Sequence, residues 1–235
     1  PQNPKTPARN SLNNMEKKIE EPLVSTVDGD ECTSEHSSQA KVDQSLCSAL
    51  SISIIVVTAI ANAAFSVVAP FLPLEFKRKG IDDTITGYVF AAYSVAVVAG
   101  SPFGGLVIQK LGRRNTIFMG MCLMGVSFLV FAAVGSLDNL TVFVIISLLA
   151  RLCQGCASVS IQVTCYSIAA NFYPDRQETI IGVLEGSQGA GLIVGPVIGT
   201  GLFALLGYNG MLYAFGGVFL LIGFVLPCVL PKVLD

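Results

Sequence analysis

Apolar residues in this chain gather into continuous runs of about twenty, separated by short breaks rich in glycine, proline and charge. A helix rises about 1.5 Å per residue, so one such run crosses the roughly 30 Å hydrocarbon core of a bilayer. Six runs fit: Ala49 to Leu74, Ile85 to Ile108, Thr116 to Gly135, Leu140 to Ala169, Thr179 to Leu206 and Met211 to Leu230. A membrane barrel would show segments of about ten residues alternating apolar and polar. Backbone groups in hydrocarbon find no water, and a helix satisfies them within each segment. The pattern predicts an all-α, polytopic membrane protein with six transmembrane helices over 47–235.

Composition agrees with that solvent, since 52% of the 235 residues are hydrophobic and only 13% charged, too few charges for a water-soluble surface. Residues 1–46 differ. They carry the acids Glu16, Glu20, Glu21, Asp28, Asp30, Glu31, Glu35 and Asp43 and the bases Lys5, Arg9, Lys17, Lys18 and Lys41. Such a segment buries too little to order itself and is read as a disordered cytoplasmic tail. It lacks a basic stretch leading into an apolar one, so the first run acts as a membrane helix rather than a cleaved signal.

The net charge of −2, with bases confined to loops and tail, gives no nucleic-acid surface. Cys32, Cys47, Cys122, Cys153, Cys156, Cys165 and Cys228 are scattered and form no disulfide framework. Cys153 and Cys156 make a CxxC inside one span, without the loop or histidine of a zinc site, and are read as small packing residues. The single histidine, His36, lies in the tail, and no Ser-His-Asp arrangement, HExxH or Gly-Lys-Ser/Thr element occurs. Neither catalysis, a metal, a cofactor nor phosphate-driven pumping is expected.

Bases near the spans set orientation. With the tail inside, Lys41, Lys110, Arg113, Arg114, Arg176 and Lys232 are inner, against Lys77, Arg78 and Lys79 outside. That topology puts the sequon Asn139-Leu140-Thr141 outside, in a loop so short that it is read as a chance occurrence. Pro102 through Gly112 aligns weakly with Pro196 through Gly207, so the second and fifth helices correspond, as in transporters built from inverted three-helix units.

Polar residues inside the runs are the candidate chemistry. Arg151, Gln154, Ser158 and Gln162 recur at helical spacing on one face of the fourth run, either lining a pathway or forming a polar seam between helices. Thr58, Asn62 and Ser66 form a second stripe, in the first run, that either hydrates a cavity or holds neighbours together. Glu185 is a carboxylate inside the fifth run, open to two roles: a proton or cation site, or the counter-ion of Arg151 or Arg113. Gly191, Gly195 and Gly199 share a face that admits a close neighbour, and Pro196 withholds an N–H there.

Several of these elements resemble the major facilitator superfamily. Gly105, Lys110, Gly112, Arg113 and Arg114 match its signature loop between the second and third helices, with Gln109 where an aspartate is usual. The bases of that loop either gate the carrier or anchor it electrostatically to the inner leaflet. Arg151-Leu-Cys-Gln154-Gly155 resembles its fourth-helix element. Gly191 through Gly199 with Pro196 resembles the element of its proton-coupled antiporters, Thr200 replacing a final glycine.

The stretch from Ala49 to Asp235 is similar to the vesicular amine transporter family, nearest its polyamine-type branch. Monoamine members have an aspartate before the first-helix asparagine, where this chain has Ala61, which makes Glu185 the better amine or proton candidate. The resemblance implies the N-terminal bundle of a transporter that exchanges an organic cation for protons across a vesicular or other membrane and works with a second six-helix half. Multidrug export and a non-transporting half-carrier that regulates a full one are the competing readings.

Overall fold

In the computed structural model, the backbone is described over residues 32–136 and 139–229. The chain divides into two units, Pro1–Asp43 and Gln44–Asp235, and all the spans lie in the second. The helices are α1 (Cys32–Arg78), α2 (Asp83–Leu111), α3 (Arg113–Val134) and α4 (Leu140–Phe172), then a 3-10 turn at Pro174–Arg176 and a helical stretch Gln177–Val229. That last stretch has 53 residues, which at about 1.5 Å each is far longer than a bilayer core. It breaks at Gly207, whose φ of 70° and ψ of −175° are non-helical. It is therefore two spans, α5 (177–206) and α6 (208–229), and the six expected spans are present with no strand among the described residues.

The expected disordered segment 1–46 fares differently along its length. Residues 1–31 lie outside the described residues. From Cys32 the backbone is already helical, because no glycine or proline stands between Cys32 and the first span, and extending an existing helix adds a hydrogen bond per residue fixed. Lys232 also lies outside the described residues.

Breaks between helices follow local chemistry. Asp82 caps α2, its Oδ2 accepting from Thr84 N at 3.1 Å, and hydrogen bonding from Thr84 holds this carboxyl below its ordinary range. Asn139 caps α4, its Oδ1 accepting from Thr141 N and Val142 N at 3.2 and 3.3 Å. Gly112 closes α2 and opens α3 with φ 78° and ψ 163°, a region open essentially to glycine alone.

Glycines also decide which helices touch. A Cβ on Gly155 of α4 would stand 2.6 Å from both the Ala96 Cβ and the Tyr93 carbonyl of α2. On Gly125 of α3 it would meet Leu220 at 2.8 Å and the Gly216 carbonyl of α6 at 3.0 Å. Phe128 of α3 stacks on Phe219 of α6 at 5.8 Å in the same seam. Cys153 and Cys156, expected to pack, are exposed instead, because Gly155 carries the contact of that turn.

Gly112→Ala is expected to cost about 1–3 kcal/mol, read as a lowered Tm in lipid nanodiscs. Gly105→Ala, whose Cβ meets nothing within 4 Å, should leave Tm unchanged. Equal Tm for the two variants would show that the Gly112 turn is not built as described.

Candidate functional site

The fourth-helix stripe divides by depth. Arg151 is 0% exposed within this chain alone, so the chain itself supplies its burial. Its Nη1 donates to Gln154 Oε1 at 3.2 Å, and its guanidinium lies over the rings of Phe90 at 5.3 Å and Phe131 at 5.9 Å. One turn on, Ser158 accepts from Tyr93 Oη at 2.9 Å and from Gln162 Nε2 at 3.4 Å. Arg151, Gln154 and Ser158 thus face the bundle interior, whereas Gln162 is half-buried.

Tyr166 extends the stripe by one further turn and was not singled out from the sequence, where it reads as one more aromatic in an apolar run. Its hydroxyl donates to Glu185 Oε1 at 2.5 Å and accepts from Gln188 Nε2. Glu185 itself is exposed on α5. Neither Arg151 nor Arg113 pairs with it, since the ion pairs among the described residues are Lys77–Asp83 and Arg78–Glu75. The counter-ion role is therefore not realised here.

In the first-helix stripe two residues bond within α1 and one bonds across to a neighbour. Thr58 Oγ1 donates to Ile54 O at 2.7 Å and Asn62 Nδ2 to Thr58 O at 2.9 Å, both within α1. Ser66 reaches across, its Oγ donating to Leu192 O at 2.7 Å. Leu192 stands four residues before Pro196, so its carbonyl is the one deprived of a helix partner by the proline's missing N–H. The glycines bring the two backbones close enough for this bond. A Cβ at Gly191 would collide with the Ala59 carbonyl, and one at Gly195 would lie 2.6 Å from Ser66 Oγ and 2.7 Å from Ala63 O. At Gly199 it would sit 3.1 Å from Phe71. The antiporter-like element is thus the surface on which α5 rides against α1.

The signature loop is partly spent inside this bundle. Arg113 Nε donates to Ser167 Oγ of α4 at 3.1 Å and its guanidinium lies 5.8 Å from the Phe172 ring. Arg114 Nη2 donates to the Pro227 carbonyl of α6. Gln109 and Lys110 are exposed on the last turn of α2, and Gly105, also exposed, packs against nothing.

Residues 54–233 match the family model of the Major Facilitator Superfamily. The chain is 27% identical over 168 residues to the human MFS-type transporter SLC18B1, covering 72% of this chain and 37% of that protein. To the human synaptic vesicular amine transporter it is 29% identical over 153 residues, 64% of this chain and 28% of that one. Quinolone resistance protein NorA of Staphylococcus aureus is 30% identical over 164 residues, 69% of this chain and 40% of NorA. The chain spans well under half the length of these relatives.

Ser66→Ala is expected to destabilise by about 1–3 kcal/mol, since it strands a carbonyl in hydrocarbon. Adding Pro196→Ala restores the N–H that Leu192 O lacks, so the cost of Ser66→Ala should largely vanish in that background. A double-mutant cycle on thermal unfolding in nanodiscs measures this. Strict additivity of the two substitutions would dissolve the joint.

Proposed function

The chain belongs to the Major Facilitator Superfamily, matched over residues 54–233, and from that premise we propose that it is the N-terminal half of a proton-coupled antiporter of organic cations. The family makes it a transporter rather than an enzyme. Glu185 is the observation that carries the finer reading. It is a carboxylate well inside a span, exposed on this half yet held in place by the Tyr166 hydroxyl at 2.5 Å. A carboxylate facing lipid would cost several kcal/mol, so this face is expected to line water or a second six-helix half.

In that setting Glu185 holds either a proton or the ammonium of a substrate. The two occupants exclude one another, and that competition, combined with alternate exposure to the two sides, yields exchange. Ala61 precedes Asn62, so no first-helix carboxylate competes for the amine. Tyr166 and Gln188 orient the carboxylate, and Gln162 continues the polar column towards Ser158. The likeness to the amine transporter supports an amine as cargo and a vesicular or other internal membrane as its place, with N-terminus and signature loop on the cytoplasmic side. The comparable likeness to NorA favours a second reading, multidrug export.

The test is uptake of labelled spermidine and serotonin into proteoliposomes holding the carrier complete with its second half, driven by an imposed proton gradient. Gradient-driven polyamine uptake is expected, falling at least about tenfold in Glu185→Gln, as for loss of a group that must exchange its proton. Export of a quinolone with no amine uptake would select the second reading. Uptake unaffected by Glu185→Gln would remove that residue from the mechanism.

A further inference from the structure

Among the described residues, the buried side-chain nitrogens and oxygens without a hydrogen-bond partner include Arg151 Nε and Nη2 in α4 and Tyr208 Oη at the start of α6. A guanidinium fully withdrawn from solvent is costly without an anion. The Gln154 amide oxygen and the faces of Phe90 and Phe131 supply only partial negative charge. Of the described acids beyond the tail, Asp82, Asp83, Asp175, Glu178 and Glu185 are exposed. Glu75, near the end of α1, is drawn in, with its side chain 13% exposed.

Glu75 is as poorly matched as the arginine. Its ion pair reaches Arg78 Nη1 at 3.8 Å, a long contact to a side chain that is 81% exposed, and such a surface pair contributes little. That pair does not account for a carboxylate withdrawn from solvent at the end of a span. Tyr208 stands between the two charges. Together with Glu75 it lines the cleft at the turn between α5 and α6. The Phe131 ring joins it to the arginine, 6.5 Å from the tyrosine ring and 5.9 Å from the guanidinium. Both the Arg151 guanidinium and the Glu75 carboxylate act on Tyr208 electrostatically. A phenolic hydroxyl donates as well as accepts, so it can serve a cation and a carboxylate at once.

We propose that Glu75 is the counter-charge of Arg151, linked to it through the Tyr208 hydroxyl, which accepts from the guanidinium and donates to the carboxylate. The link needs no ligand and no cavity, only rotation of side chains. It fastens the end of α1 and the start of α6 to the interior of α4. Arg78 competes for the same carboxylate, so the surface pair and the buried link are alternatives at this end of the bundle. Nothing in the link depends on Glu185 or on what the carrier moves.

The test is a set of double-mutant cycles on thermal unfolding of the full chain in lipid nanodiscs. Glu75→Gln is expected to lower Tm by at least about 4 °C, because it leaves the guanidinium without its counter-charge. In an Arg151→Met background that cost should fall by at least half, and in an Arg78→Gln background it should persist. A cost that disappears with Arg78→Gln and survives Arg151→Met would reduce Glu75 to a surface pair and overturn the link. So would an unchanged Tm in Glu75→Gln. If Arg151→Met does not fold, Tyr208→Phe reads the link by itself: coupling to Glu75→Gln supports the hydroxyl bridge, and strict additivity removes it.

Discussion

Hydrocarbon offers no hydrogen bonds, and the rest of this bundle follows from that. Each polar atom within the spans must be matched by the chain itself or by something the chain encloses. Hydroxyls on the helices meet the condition locally by bonding back four residues, as Thr58 does to Ile54 O, Thr116 to Gly112 O and Ser127 to Leu123 O. Where the sequence removes a backbone donor, a neighbouring helix supplies one: Pro196 frees Leu192 O, and Ser66 of α1 takes it. Arg114 answers the Pro227 carbonyl in the same way at the far end of α6.

Those bonds require close backbones, and close backbones require glycine. Gly191 and Gly195 set α5 on α1, Gly155 sets α4 on α2, and Gly125 sets α3 on α6. The contacts are specific in register, because a Cβ at any of these positions would enter its neighbour. A bundle assembled this way has its helix contacts fixed in register at each of these glycines. The Pro196 joint is the place where the main-chain ladder is already open, and Ser66 fixes the geometry there.

The spans were legible because the bilayer fixes both their length and their apolarity, and the gap between Leu206 and Met211 already separated the fifth and sixth runs. Polar stripes were legible as faces but not as depths. Periodicity put Arg151, Gln154, Ser158 and Gln162 on one side of α4, yet it could not say that the first three point into the bundle and that the column then surfaces at Tyr166 and Glu185. Tyr166 gave no signal because its ring satisfies an apolar pattern while its hydroxyl makes the hydrogen bonds to Glu185 and Gln188. The partner of Ser66 is a carbonyl, and carbonyls are the same at every position of a sequence. Helix continuing back to Cys32 was missed because polar composition was weighed without the absence of any breaker before the span.

Gln109 is easier to place once the neighbouring bases are. Arg113 and Arg114 spend donors on Ser167 and Pro227 O, stapling the start of α3 to the ends of α4 and α6 within the half. What the loop presents outward is then Lys110 and Gln109, both exposed. An aspartate at 109 would add an anion beside Lys110, and any contact it made there would depend on charge pairing, which salt screens. A neutral amide offers hydrogen bonds alone and carries a smaller desolvation cost than a carboxylate. Gln109 therefore leaves Lys110 as the exposed charge of this turn, without touching the bonds that Arg113 and Arg114 make to α4 and α6.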